Sequence, residues 1–208
     1  MISNKDNPYW NKFYSKKELV HKPSSFALSI VDELTKGKKL LELGCGNGRD
    51  SFFFDQNGIK VIALDLSKDA IAINKLKKSN VNFIEKDFTN IKLDEYLNID
   101  YVYSRFSLHS IEKKDYLRTI EWVSKQLKKS GKFFIEARTV NDPLFGKGEK
   151  MADDAYVDTH YRRFFRIKEV MKELKTLGFE ITHSSENYTD SWYKDDHAVV
   201  MRIICEKK

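Results

Sequence analysis

Three glycines at alternate positions, Gly44, Gly46 and Gly48, separate two apolar runs, Lys39–Leu43 and Ser51–Phe54. The pattern predicts strand, tight turn, helix. Glycines in such a turn open backbone angles closed to other residues and let a ligand lie against the main chain. The amide donors at the start of the next helix are expected to face the gap, so the stretch reads as a nucleotide-sized binding turn. The dinucleotide fingerprint Gly-x-Gly-x-x-Gly seats a pyrophosphate on a helix N-terminus. Here the third glycine comes one residue early, and Glu42 stands just before the turn. A carboxylate there repels a pyrophosphate and suits a cationic amine. The expected ligand is a nucleoside bearing an ammonium group, with an ordinary strand-to-helix turn as the alternative.

The next segments extend this reading. Lys60–Leu64 reads as a second strand with Asp65 at its carboxyl end. An acid about 20 residues past the glycines accepts hydrogen bonds from two neighbouring ribose hydroxyls. Ser67 is placed to cap a helix over Lys68–Lys78. Val81–Glu85 reads as a third strand, followed by Asp87 and Phe88 in its loop. The stretch Leu41-Glu42-Leu43-Gly44-Cys45-Gly46-Asn47-Gly48 resembles the first motif of class I methyltransferases that use S-adenosylmethionine. Asp65-Leu66-Ser67 resembles the family's second motif. Asp87-Phe88 resembles the motif whose acid meets the adenine amino group while the next residue packs on the ring. The resemblance spans Leu40 to Lys208 and implies S-adenosylmethionine as donor. It places Glu42, Gly44 and Gly46 at the amino-acid end, Asp65 and Leu66 at the ribose, and Asp87 and Phe88 at the adenine. Ser104 would line the methyl-facing side.

Ile99–Ser104 reads as a fourth strand running into Arg105-Phe106-Ser107-Leu108-His109. Ligands of open parallel sheets bind at the carboxyl ends of the strands, so this segment faces the transferred methyl. The Asn/Asp-Pro-Pro-Tyr/Phe pattern common in methyltransferases of nucleic-acid amino groups is missing here, which argues against that substrate class. His109 is a candidate general base or a residue that orders the turn. Arg105 is a candidate for holding an anionic substrate or bracing the loop. A helix with Tyr116, Ile120, Val123 and Leu127 inward is expected to end at Ser130-Gly131, before a strand over Lys132–Ala137. The alternation breaks at Arg138, and residues 138–166 show no clean period. So long a connection is usually functional or disordered, and this one is too rich in Tyr, Phe, His and Arg for disorder. It reads as an acceptor-site lid in which Arg138, Tyr156, His160, Tyr161, Arg162 and Arg163 hold a phosphate, carboxylate or sugar, with Phe164 and Phe165 in the core.

At the amino end, Asn7–Tyr14 is a dense aromatic cluster that covers a ligand or forms a satellite core. Tyr14 joins the substrate-binding candidates. A helix capped by Ser24 or Ser25 follows and ends at Gly37. At the carboxyl end, a helix over Ile167–Leu177 precedes strands at Phe179–Ser184 and Ala198–Cys205, joined by a polar loop, Glu186–His197. With no helix between them the two strands pair antiparallel. The expected fold class is α/β: a three-layer Rossmann-like sandwich, with a mostly parallel seven-stranded sheet ending in an antiparallel hairpin. It is one domain over residues 1–208, with an N-terminal cap (1–38) and a lid (138–166).

Composition narrows the function. A net charge of +6 comes mostly from lysines scattered near expected helix ends, which suits a solvated surface better than a nucleic-acid footprint. The 2 cysteines, Cys45 and Cys205, make no disulfide framework and no metal-ligand spacing. The polar first residues predict no secretory signal, and no apolar run approaches the ~20 residues of a membrane span. A cytoplasmic monomer or homodimer without a membrane partner is expected. The chain is expected to methylate a small-molecule acceptor, on an oxygen of an anionic or sugar-like metabolite. Tyr-Trp-x-x-Phe-Tyr and Arg-Arg-Phe-Phe resemble small methyltransferases of cell-surface glycan pathways. The alternatives are an RNA or protein methyltransferase, a non-catalytic binding module of the same fold, and a nicotinamide oxidoreductase.

Overall fold

The structure, a computed structural model, describes residues 7–15, 22–92, 96, 98–193 and 196–208. The first residues, used above to judge targeting, lie outside that range. Helix α1 (Asn7–Tyr14) and helix α2 (Ser25–Ile30) precede the sheet. Strands β1 (Lys39–Leu43), β2 (Lys60–Asp65) and β3 (Asn82–Glu85) alternate with helices α3 (Arg49–Gln56) and α4 (Lys68–Lys75). After these come β4 (Ile99–Arg105), α5 (Lys113–Gln126) and β5 (Leu127–Arg138). A small set, β6 (Glu149–Ala152), β7 (Ala155–Val157) and β8 (Tyr161–Arg163), leads to α6 (Ile167–Thr176), and β9 (Phe179–Tyr193) and β10 (Asp196–Lys207) close the chain. The main sheet has seven strands in the order β3-β2-β1-β4-β5-β10-β9. The first five run parallel, and β10 is antiparallel to both of its neighbours. The expected fold class is therefore the observed one.

Burial on both faces explains the apolar strands. Side chains alternate across a strand, so Leu41, Leu43, Phe133 and Ile135 meet α5 and α6 through Tyr116, Val123, Val170 and Leu174. Leu40, Val61, Ala63 and Phe134 meet α2 and α3 through Phe26, Ile30 and Phe54. Ser24 caps α2 as expected, accepting the Ala27 amide at 3.0 Å, and Ser67 caps α4. Among the described residues no helix is long and apolar enough to cross a membrane.

Three elements differ from expectation. Helix α5 stops at Gln126, and Leu127 already pairs with Ile99 at the start of β5. Leu127 is buried in the core either way, so its spacing fits both periods. The expected 186–197 loop is mostly strand, with β9 and β10 paired out to Tyr193 and Asp196. Before Val200, the first residue of β10 paired with β5, this ribbon extends past the main sheet, so apolar alternation cannot mark it. Lys194 and Asp195 lie outside the described residues. The 138–166 segment folds as the three-stranded sheet β6-β7-β8. Its two ends are tied together, with Phe165 N donating to Arg138 O at 2.9 Å and Val140 N to Phe165 O at 3.0 Å. Phe164 and Phe165 are buried beneath it, as expected.

Phe54 is fully buried and packs edge-on against Tyr103 with ring centroids 5.1 Å apart. Phe54→Ala is expected to cost about 3–5 kcal/mol, measured as a shift in the urea unfolding midpoint. A loss below about 1 kcal/mol would contradict this packing.

Candidate active site

Strands β1 and β4 are neighbours, but the chain leaves β1 toward β2 and leaves β4 toward β5. Their following loops diverge, opening a crevice at the carboxyl ends, where ligands of such sheets bind. Gly44 (φ +78) and Gly46 (φ +52) turn the chain there. A Cβ on Gly44 would lie 2.6 Å from the Ser107 Cβ, and one on Gly46 would lie 2.4 Å from the Tyr14 hydroxyl. The turn is closed by its own amides. Gly44 N and Cys45 N donate to Leu64 O (2.8 and 2.9 Å), Gly48 N to Cys45 O, and Gly46 N to Asp65 Oδ2 at 2.7 Å. These four amides are used within the turn and at its flanking acid, so what the glycines themselves supply is room.

Two cavities share this turn. The smaller, about 90 Å³, is lined by Asp65, Leu66, Asp87, Phe88 and Ser107, with Trp10, Tyr14, Gly44 and Phe106 at its border. Asp65 stands at the carboxyl end of β2. Its oxygens accept Gly46 N and Ser67 N (2.8 Å), and the Leu66 amide also contributes. Burial raises its pKa, against the pull of those amides. Asp87 uses only Oδ1 on Thr89, accepting its amide at 2.9 Å and its hydroxyl at 2.7 Å. Four sequence-expected donor residues, Asp65, Leu66, Asp87 and Phe88, thus meet in one place. The volume is below the roughly 300 Å³ of ordinary ligand pockets, because Trp10 and Tyr14 of α1 lean into it.

The larger cavity, about 390 Å³, adjoins Glu42, Gly44 and Gly46 and is lined by Tyr9, Trp10, Phe13, His109 and His160, with Arg49, Arg105, Arg138 and Arg162 around it. Glu42 is buried and accepts the Ser51 hydroxyl. Burial, then Asp50, pushes its carboxyl well above the ordinary range, and a bound ammonium would relieve both effects. Burial and the nearby Arg105 lower the pKa of Arg49. Arg105 pairs with Glu136 at 2.8 Å and lies 4.4 Å over the Phe106 ring. Arg138 pairs with Asp142 at 2.7 Å and approaches the same ring to 5.5 Å. Phe106 has φ +54, an unusual backbone for a bulky residue and a mark of local strain.

The expected site residues separate clearly. Arg105, His109, Arg138, His160 and Arg162 converge on the larger cavity. Tyr14, expected on the substrate side, borders both cavities, its ring set into the Gly46 bend. Ser104 does not reach the crevice; it is fully buried, its hydroxyl 2.6 Å from that of Ser107, which does line the smaller cavity. On β8 the strand alternation turns Arg162 to the cavity and its neighbours away. Arg163 pairs with Asp154 at 3.0 Å and stacks on Tyr116 and Phe165, and Tyr161 is buried outside both cavities. Tyr156 packs edge-on against Phe145 and Phe164. Tyr156, Tyr161 and Arg163 thus serve the lid's own packing. Sequence reasoning misses Arg49, Asp50 and Phe106; the only signal was their place beside the turn and after β4.

Burial, then Arg162 and Arg138, lowers the His160 pKa to about 3. Its folded value lies below the unfolded one, so between about pH 6.5 and 3 the unfolded chain binds the extra proton. The stability is complete above about pH 6.5 and falls as the pH drops, by up to about 1.4 kcal/mol per unit. His160→Asn is expected to flatten the fall in unfolding midpoint between pH 6.5 and 4; an unchanged slope would place the ring in water.

Residues 14–184 match the family model described as a methyltransferase domain. Among relatives, the cypemycin N-terminal methyltransferase of Streptomyces sp is 24% identical over 102 residues, covering 48% of this chain and 42% of that protein. A solved S-adenosylmethionine-dependent methyltransferase from Methanosarcina mazei aligns with a TM-score of 0.74 at 17% identity, over 86% of this chain and 96% of that one. The 1,6-didemethyltoxoflavin N1-methyltransferase of Burkholderia thailandensis, solved with its acceptor and S-adenosylhomocysteine, aligns at 0.68 and 18%, over 88% and 76%. The chain therefore belongs to the methyltransferase-domain family and carries the class I, Rossmann-like fold of the S-adenosylmethionine-dependent methyltransferases.

Proposed function

We propose that this enzyme transfers a methyl group from S-adenosylmethionine to a small-molecule acceptor bearing an anionic group. The observation that carries the reading is the pair of cavities joined at Gly44, one flanked by Asp65 and Asp87, the other by Glu42 and four arginines. The first suits an adenosine, and Glu42 suits the ammonium of its amino-acid tail. The donor supplies a methyl already activated on a sulfonium. The chain's own residues then have to bind, orient and exclude water, which is where most of the rate gain in such a transfer lies. Tyr14 and Trp10 would cover the donor, with Asp65 and Asp87 fixing its register. Arg105, Arg138 and Arg162 would orient the acceptor. His109, expected as a base, accepts the Arg138 amide on Nδ1 at 3.4 Å. A neutral ring so bonded carries its hydrogen on Nε2 and would serve the acceptor as a donor.

A cavity of about 390 Å³ roofed by α1 and the lid favours a small acceptor. The relative's name puts a peptide N-terminus at its acceptor site; four guanidinium groups here favour an anion over such a cation. S-adenosylhomocysteine is expected to raise the melting temperature, and NAD to leave it unchanged. Asp65→Ala should weaken S-adenosylhomocysteine binding by about 3 kcal/mol, roughly a hundredfold in Kd by calorimetry. Wild-type affinity in that variant would remove Asp65 from the donor site. Incubation with labelled donor and a fractionated metabolite pool should label small molecules; label confined to macromolecules would sink the small-acceptor reading.

A further inference from the structure

The larger cavity sets four guanidinium groups beside two buried imidazoles. Arg49, Arg105, Arg138 and Arg162 adjoin one space of about 390 Å³. His109 is buried, and its Nδ1 takes the Arg138 amide, leaving Nε2 to donate. Burial, then the guanidinium charges of Arg138, Arg162 and Arg105, holds the ring neutral. His160 is packed against Tyr9 and Trp10 at 4.6 and 4.8 Å, with Nδ1 3.1 Å from the Thr159 hydroxyl. Its pKa of about 3 makes it a poor base. Of the cavity's two acids, Asp50 accepts Ser24 N (2.7 Å), Ser24 Oγ (2.8 Å) and the Tyr103 hydroxyl (2.9 Å). Glu42 holds the Ser51 hydroxyl and stands at the donor end of the cavity. Among the described residues at the acceptor end, neither imidazole is set up to take a proton near neutral pH.

Resting on the methyltransferase reading above, we infer that the acceptor is a carboxylic acid and the product its methyl ester. A carboxylate oxygen is nucleophilic as it arrives. It forms a C–O bond to the methyl carbon while the C–S bond breaks and its electron pair goes to sulfur. One negative and one positive group become a neutral ester and a neutral thioether, and no proton changes hands. Opposite charges that cancel on the way to the transition state react faster when water is shed. Phe106, below Arg105 and Arg138, and Trp10 give the cavity its dry walls. An alcohol acceptor would need a base to remove its proton, and an ammonium acceptor would lie beside guanidinium groups rather than the carboxylate of Glu42 at the donor end.

Benzoate and benzamide share a shape and differ in charge, so they serve as calorimetric probes on protein saturated with S-adenosylhomocysteine. Benzoate is expected to bind roughly tenfold tighter, a preference lost in Arg162→Gln. Equal or tighter binding of benzamide overturns the inference. Labelled S-adenosylmethionine and a metabolite extract should give a product whose label is released as methanol by mild alkali. Product that resists alkali, or a lack of alkali-labile product, overturns it. The rate at saturation should be flat from about pH 6.5 to 8.5, whereas a tenfold rise per unit would reveal a base and overturn it. Donor affinity by the same calorimetry separates the two levels. A protein that does not bind S-adenosylhomocysteine sinks the methyltransferase reading, whereas bound donor with an alkali-stable product sinks only the carboxylate.

Discussion

The crevice depends on the carboxylate of Asp65 holding the Gly46 amide at 2.7 Å. Asn74 of α4 ties down the other side of the same bend, donating to the Gly46 carbonyl at 2.8 Å. Both peptide groups of the glycine are thus anchored, one by the end of β2 and one by the helix that follows it. The left-handed backbone this demands is open to glycine and costly for other residues. The same carboxylate stands at the edge of the smaller cavity, so in the proposed reading the group that shapes the turn would also be the group offered to a ribose.

The cations of the larger cavity are positioned from inside the sheet. Glu136 on β5 is fully buried and bridges Arg105 at 2.8 Å and Arg202 of β10 at 2.7 Å. Arg202 also donates to the Ser25 hydroxyl at 2.7 Å, where α2 begins. Removing one partner of such a buried set leaves an uncompensated charge, at a cost of about 3–5 kcal/mol. A charge chain therefore runs from the start of α2, through the central strands, to the Arg105 side chain above Phe106. Asp50 does similar work nearby, joining Ser24 to Tyr103. The cavity's field comes from the core and would persist if the surface lysines were replaced.

Much of this was legible in the sequence where one physical demand dominated. Continuous apolar runs marked β1 and β4 because both faces are covered, and the glycine spacing located the turn because no other residue fits there. Asp65 and Asp87 were expected near one another because strand ends converge in a parallel sheet, and they line one cavity. The 138–166 connection was legible as an ordered unit but not residue by residue. Arg162 and Arg163 are adjacent and chemically identical, and only the pleat of a three-residue strand sends one to the cavity and the other onto Tyr116. Ser104 and Ser107 were confused for a related reason, since a strand end and its loop exchange faces within three residues. The outer part of the β9–β10 ribbon carried no apolar period because it covers nothing on the main sheet.

Helix α1 touches everything that must come and go. Asn11 receives the Ser67 hydroxyl at 2.7 Å beside the β2 loop, Tyr14 sits in the Gly46 bend, and Tyr9 and Trp10 lie on His160 of the lid. Trp10 and Tyr14 wall both cavities at once. In the proposed reading, a spent nucleoside leaving one side would have to lift the same two rings that confine the methylated compound on the other. Departure of either product would then loosen the grip on its companion, through one short helix eight residues long.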